Sequence, residues 1–138
     1  MRIIASVLIL LGALFTASPS HAWTVSVDQY FFVGIAFSKT FASSSPTEFI
    51  LIDEIRVDTA LFEEGSLADD DSKSCDRPYI LNVPQTLSCS ETAYDLSLTP
   101  SCLYCAQGIA FAFTPIGTLY ETKTAPEECH IYFGGGNW

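Results

Sequence analysis

Positive charge is scarce in this chain: 6 Lys and Arg stand against 16 Asp and Glu in 138 residues, a formal net charge of -10. Nucleic-acid binding needs clustered cations to neutralise phosphates, and the sequence has no such cluster. The same deficit argues against a membrane partner, because an anionic bilayer surface would repel the chain. Histidine occurs only as His21 and His130, and asparagine only as Asn82 and Asn137. Neither asparagine begins an Asn-x-Ser/Thr acceptor, so no N-glycosylation is expected. A Gly-x-Ser-x-Gly elbow, an internal repeat and a linker long enough to separate domains are all missing. Charged residues make up 16% and apolar ones 49%, a balance that folds.

One long apolar run is present, and it stands first. Met1-Arg2 gives a positive start, Ile3 to Leu14 is almost unbroken in its apolarity, and Pro19 interrupts any helix. Ser20-x-Ala22 then places small residues where a signal peptidase reads, so residues 1–22 are expected to be a cleaved secretory signal. The run is shorter than the roughly 20 residues needed to span a bilayer. No second such run follows, and the chain ends Phe133-Gly134-Gly135-Gly136-Asn137-Trp138 without the apolar tail of a lipid anchor. The expected product is a released single domain over residues 23–138. It keeps 5 basic and 16 acidic residues once Arg2 is lost, a formal charge of -11.

That domain alternates with period two. Trp23, Val25 and Val27 alternate with Thr24, Ser26 and Asp28; Ile55, Val57, Thr59 and Leu61 alternate with Glu54, Arg56 and Asp58. Tyr94, Leu96 and Leu98 repeat the pattern, and Ile109, Phe111 and Phe113 stand opposite Ala110, Ala112 and Thr114. Alternation of this kind puts one face of a strand on a core and the other in solvent. Weaker strand signals cover 31–37, 78–83, 117–124 and 129–133, with a helical continuation past Thr59 as an alternative. Breakers separate the runs at Ser43 to Pro46, Asp69 to Ser74, Pro84, Thr99 to Ser101, Pro115 to Gly117 and Ala125-Pro126. The expected fold is all-β, an antiparallel small barrel or sandwich with one or two disulfides.

Five cysteines remain in the exported chain: Cys75, Cys89, Cys102, Cys105 and Cys129. Secretion makes bridges the default, and two bridges can be drawn in 15 ways with one thiol left over. A Cys75–Cys89 bond would close a short loop and stabilise by about 3 kcal/mol in the chain-entropy model. A second bond is expected from Cys129 to Cys105 or Cys102. Cys105 is preferred because it lies nearer the strand expected from Gly108. Cys102-Leu103-Tyr104-Cys105 has the spacing of a redox pair, but a strand follows where a thiol-activating helix would be required. Cys102, Cys105, Cys129 and His130 could supply four zinc donors, yet Cys129-His130 are adjacent and not spaced as ligands.

Catalysis finds little to work with. His130 is the sole histidine after Ala22, so a Ser-His-Asp or Cys-His site would have to use it. Its place beside Cys129 on an expected strand fits a surface residue better. Asp69-Asp70-Asp71-Ser72 offers oxygens to a hard cation but lacks the ligand order of a calcium loop, and reads as a solvated acidic loop able to meet a basic partner. No catalytic, metal or cofactor site is expected.

Cys75, the thirteen-residue gap to Cys89, and Ser88-Cys89-Ser90-Glu91 followed by Tyr94-Asp95-Leu96-Ser97-Leu98 resemble the major Alternaria allergen family. These are small secreted fungal proteins, also called AA1-like, and the Trp23-Thr24-Val25-Ser26 opening is similar to their first strand. The resemblance implies an antiparallel β-barrel, no established enzyme activity, and a Cys75–Cys89 bridge. It implies an effector or allergen-like role at a host surface, with a thaumatin-like extracellular defence protein or a small phenolic compound as partner. This chain has no cysteine before Cys75 to link two copies, and the family's late pair is represented only by Cys129. The leading expectation is therefore a secreted, non-enzymatic binding protein. Its rivals are a small extracellular hydrolase using carboxylates or His130, and a structural protein of a cell wall or spore coat.

Export should leave a chain that starts at Trp23. Intact-mass measurement of the secreted product checks this, and a product retaining Met1 to Ala22 refutes it.

Overall fold

The alternation becomes ten strands in the computed structural model, which describes residues 23–133; the expected signal segment and the last five residues lie outside the described residues. The strands are β1 (Trp23–Phe32), β2 (Ile35–Ser44), β3 (Glu54–Glu63), β4 (Ser66–Asp76), β5 (Tyr79–Ile80), β6 (Val83–Pro84), β7 (Leu87–Asp95), β8 (Cys102–Phe113), β9 (Leu119–Thr124) and β10 (Glu128–Tyr132). A 3-10 turn, Pro46–Glu48, interrupts the long connection from β2 to β3. No helix among the described residues is long and apolar enough to cross a membrane.

Every pairing among the described residues is antiparallel. The first sheet runs β1-β2-β7 and the second β10-β8-β3-β4, with β9 also on β8. β10 pairs with Cys102 to Ala106 and β9 with Ile109 to Phe113, so the two short strands share one side of β8 end to end. The β1–β2 hairpin turns on Val33 and Gly34, both at positive φ (53° and 75°), the mirror-image turn whose twist suits paired strands. Glycine adopts that conformation freely, whereas β-branched Val33 does so against its preference.

Side chains close the two open seams between the sheets. Where β4 meets β7, the Cys75–Cys89 disulfide joins them with Cα atoms 5.6 Å apart, and the Tyr94 backbone N–H donates to Asp69 at 3.0 Å. Where β1 meets β9 and β10, Trp23 Nε1 donates to Glu121 (2.8 Å), Lys123 Nζ to the Trp23 carbonyl (2.7 Å) and the Gln29 N–H to Glu128 (2.9 Å). The result is a sandwich whose edges are bound almost into a barrel.

Between the sheets, two large apolar clusters flank a polar waist, and a small third one gathers Val27, Ala106 and Ala125. At one end Trp23, Ile52, Ile55, Val57 and Leu87 pack with Ala42, Ala110 and Ala112. At the other, Phe31 meets Tyr104 edge-on at 5.6 Å and Tyr132 at 5.2 Å. The waist holds buried Gln29, Ser38, Thr40 and Thr59, with Ser38 and Thr59 hydroxyls 2.8 Å apart across the sheets. Here the layers press closely together. A Cβ on Gly108 would lie 2.8 Å from Thr40 Cγ2 and nearer still to its hydroxyl, so only glycine fits.

The Trp23 end is tied by Arg77, a residue that no sequence motif singles out. Arg77 is almost wholly buried and spends its guanidinium on neutral acceptors. Nε and Nη2 donate to the Ile52 carbonyl (3.0 and 2.9 Å), Nη1 to the Ser45 and Gln85 carbonyls (3.0 and 2.8 Å), and Nη2 also to Ser44 Oγ (2.7 Å). One planar fork thus gathers the β2–β3 connection and the start of β7. Burial lowers its pKa, with Tyr79, Asp53 and Glu48 pulling the other way.

The all-β class and both preferred disulfides match the expectation, and several local readings do not: the strands expected at 31–37 and 78–83 are each broken by a turn, at Val33-Gly34 and Leu81-Asn82, and Ser43-Ser44 belongs to β2 instead of breaking it. Asp69 to Ser74 is no loop but the middle of β4, an edge strand exposed on both sides where charge is tolerated and discourages pairing with another chain. The chain past Thr59 stays extended to Glu63, because β3 is paired on both sides by β4 and β8. The alternation from Tyr94 to Leu98 does not continue as strand: β7 ends at Asp95, and Thr99 donates its N–H to Tyr104 Oη at 3.0 Å in the connection to β8.

Gly108→Ala should cost about 1–3 kcal/mol by overpacking the waist, and trimming the facing residue in Gly108→Ala/Thr40→Ala should recover some of it. Thermal melting of both variants checks this, and an unchanged Gly108→Ala melt contradicts it. Arg77→Leu should cost roughly 3 kcal/mol or more, since each stranded buried acceptor costs about 1–3 kcal/mol. Urea denaturation reads that loss; a change under about 1 kcal/mol would speak against the fork as the tie of this end.

Candidate functional site: a groove on the outer face of the second sheet

The second sheet turns an unusual set of residues outward. Ser72, Asp58, Ile109 and Thr124 form one register row across β4, β3, β8 and β9. On one side of it lie Asp70, Ala60 and Gln107, and on the other Ser74, Arg56, Phe111 and Thr122. Ala60 is the small member of its row and leaves the middle hollow. An open groove of about 550 Å³ results, lined among others by Arg56, Asp58, Asp70, Ser72, Gln107 and Thr124.

β8 explains why apolar bulk faces this groove. Its alternation places Ala106, Gly108, Ala110 and Ala112 inward, against the close first sheet, and leaves Ile109, Phe111 and Phe113 on the outside. Arg56, in the groove lining, lies with Cζ 5.8 Å from the ring centroid of Phe111 beside it, a cation–π distance. It also grips Asp58 through Nε–Oδ1 at 3.0 Å and Nη2–Oδ2 at 3.4 Å. Both side chains are well exposed, so the pair adds little stability and serves to fix two charges on the groove floor. Gln107 is held at the rim by Glu127 at 2.8 Å. With Asp58, Asp70 and Asp71 against Arg56, the lining is net negative.

The residues singled out from sequence fall elsewhere. Cys105 and Cys129 are direct partners in the β8–β10 register and form the second disulfide, with Cα atoms 4.0 Å apart. Cys102 is the free cysteine. Three residues from Cys105 on a strand, it faces the opposite way, so the two sulfurs form no redox pair. Partial burial raises the Cys102 thiol pKa, and the carboxylates of Glu63 and Glu64 raise it further, the reverse of activation. Cys105, Glu127 and Cys129 do converge within 4.8 Å, but a disulfide offers no thiolate to a metal. His130 is exposed, and its ring nitrogen lies 3.3 Å from Glu128 on the same strand. No nucleophile is hydrogen-bonded to it among the described residues. Asp69, Asp70 and Asp71 do not bring their carboxylates together as a ligand group among the described residues, and Asp69 accepts from the Tyr94 N–H instead.

Sequence reading missed the groove as a unit. The signal that existed was the alternation of Arg56 and Asp58 with buried Ile55, Val57 and Thr59, which identifies outward positions on one strand. Which strands lie beside β3 was not written in it.

No family model matches the chain, and no curated protein does. Among solved structures, a glycosyl hydrolase family 2 member from Bacteroides cellulosilyticus aligns at 8% identity and a TM-score of 0.44 over 72% of this chain, which spans 14% of that chain. The ApaA protein from Bordetella pertussis aligns at 10% identity and 0.43, covering 82% of this chain and 94% of that one. BcpA, the major pilin subunit of Bacillus cereus, aligns at 6% identity and 0.43, covering 80% and 40%.

Proposed function

We propose that this chain is a secreted, non-enzymatic binding protein, and that the groove on its second sheet receives a basic, extended segment of an extracellular protein. The observation that carries the reading is the groove itself, an open hollow of about 550 Å³ with acidic residues on its floor and rim. Its lining spans four strands, which suits a chain laid across them, and its charge favours lysine or arginine in that chain. Ile109 adds apolar floor for the stem of such a side chain. In biological terms this is a fungal effector or allergen-like protein acting at a host surface, with a defence protein as its target. A small phenolic compound is the other ligand the family resemblance implies, and competition separates the two.

Pull-down from host extracellular fluid tests the proposal. The exported chain should retain a basic protein, retention should fall as salt rises, and Asp58→Asn/Asp70→Asn should lose it while melting at an unchanged temperature. Release by a phenolic competitor alone would assign the groove to the small ligand. A hydrolytic activity that copurifies with the chain and vanishes in His130→Ala would overturn the binding reading altogether.

A further inference from the structure

The opposite side of the sandwich carries a second uncovered surface of different character. On the outer face of the first sheet, Tyr30, Phe37 and Tyr94 occupy one register row across β1, β2 and β7. Tyr30 and Phe37 stack with centroids 4.9 Å apart and planes 16° apart; Tyr94 follows at 6.3 Å and 42°. Rings this close on neighbouring strands cannot lie flat, so they stand upright and present edges to solvent. Phe32, 64% exposed, and Phe41, 40% exposed, extend the apolar surface along the strands.

Charge on this face is balanced. Among the outward positions of its three strands only Asp28 and Lys39 are charged, and they are register neighbours that make no ion pair with each other. The net charge of -10 therefore lies off this face. We propose that the face is the interface of a homodimer, in which two copies pack sheet on sheet about a two-fold axis.

Three properties favour a second copy over other occupants. Upright rings interdigitate between sheets packed about 10 Å apart, whereas a flat ligand would need exposed ring faces. A two-fold axis running along the strands between β1 and β2 would bring Asp28 of each copy towards Lys39 of the other, so that the two charges satisfy each other twice. Three strands about 4.8 Å apart and ten residues long make a face of roughly 450 Å² in plan. Side-chain relief and the exposed rim at Val33 and Leu96 carry it towards the ~800 Å² per partner of a standard interface. The grooves would then face outward in opposite directions, giving a bivalent particle from a chain with one groove.

Sedimentation velocity of the exported chain over a wide concentration range tests the dimer. A monomer–dimer equilibrium is expected, and it should hold or tighten with added salt, because two acidic copies repel at long range. Phe32→Ser and Phe37→Glu should each weaken association by about tenfold or more, with melting curves confirming that both variants fold. Lys39→Asp should weaken it, and the reversed pair Asp28→Lys/Lys39→Asp should restore it, a recovery that loss of packing alone would not give. A chain that stays monomeric throughout, or a dimer indifferent to both Phe32→Ser and Lys39→Asp, overturns the proposal. It is independent of the groove: a dimer that captures no basic partner would sink that reading and leave this one standing.

Discussion

Two sheets that each end in unpaired strands must dispose of their edges, and the rest of this structure follows from how that is done. β4 and β7 are joined by a covalent bond, Cys75–Cys89, and by a carboxylate, Asp69, accepting an edge N–H. β1 is joined to β9 and β10 by Glu121, Lys123 and Glu128. Exposed edges invite pairing with other chains, and native proteins blunt them with charge. Here the charges do more, since they reach across the seam and fix the spacing of the sheets. Because both seams are closed by side chains and not by a shared strand, the sheets keep separate outer faces, one for each candidate surface.

The spacing so fixed is tight, and tightness decides which residues face out. At the waist, Gly108 meets Thr40 and the Ser38 and Thr59 hydroxyls bond directly, leaving no room for large side chains. β8 responds by turning alanines in and Ile109, Phe111 and Phe113 out. The apolar bulk that would fill a wider core is displaced to the surface, where Ile109 lines the groove and Phe111 stacks under Arg56 at its edge. On the first sheet the same alternation keeps Ala36, Ser38, Thr40 and Ala42 inside and sends Phe37 and Phe41 outward. Outward aromatic rings on both sheets thus share one cause. The large side chains that stay inside, Trp23, Phe31 and Tyr104, lie at the two ends, away from the waist.

The strand class was legible because period two is a local signal that survives any arrangement of strands. The Cys75–Cys89 bond was expected from the stability gained by closing the segment between them and from the family resemblance, not from any local signal, and it forms between β4 and β7. The Cys105–Cys129 pairing came out as preferred, but on an incomplete argument: β8 starts at Cys102, not near Gly108, and the β10 register selects Cys105. What stayed hidden depends on neighbours. Asp69 to Ser74 has turn composition, and only its pairing with β3 makes it a strand. On β8 the sequence shows two faces but not which is inner, and the larger residues are the ordinary guess for the core. The close approach of Thr40 reverses that choice, and Thr40 is distant in sequence. Arg77 carries no motif, because its acceptors are backbone carbonyls at Ser45, Ile52 and Gln85 that any residue could supply.

The acid surplus acquires a structural meaning from the same seams. A chain with so few cations cannot neutralise its carboxylates by ion pairs, and the described residues instead give many of them N–H or O–H donors. Asp69 accepts from the Tyr94 backbone, Glu128 from the Gln29 backbone, Glu121 from the Trp23 indole, Glu127 from the Gln107 amide and Asp53 from the Tyr79 hydroxyl. Hydrogen bonds to an ionised acceptor are stronger than neutral ones, so these acids hold seams and rims as cations would elsewhere. Subtracting them changes how the remaining charge is read. Asp58 is engaged by Arg56 on the groove floor, and exposed Asp70 stands beside it in the lining. Asp70 thus adds to the groove lining a carboxylate that closes no seam, on the second sheet and away from the aromatic face of the first.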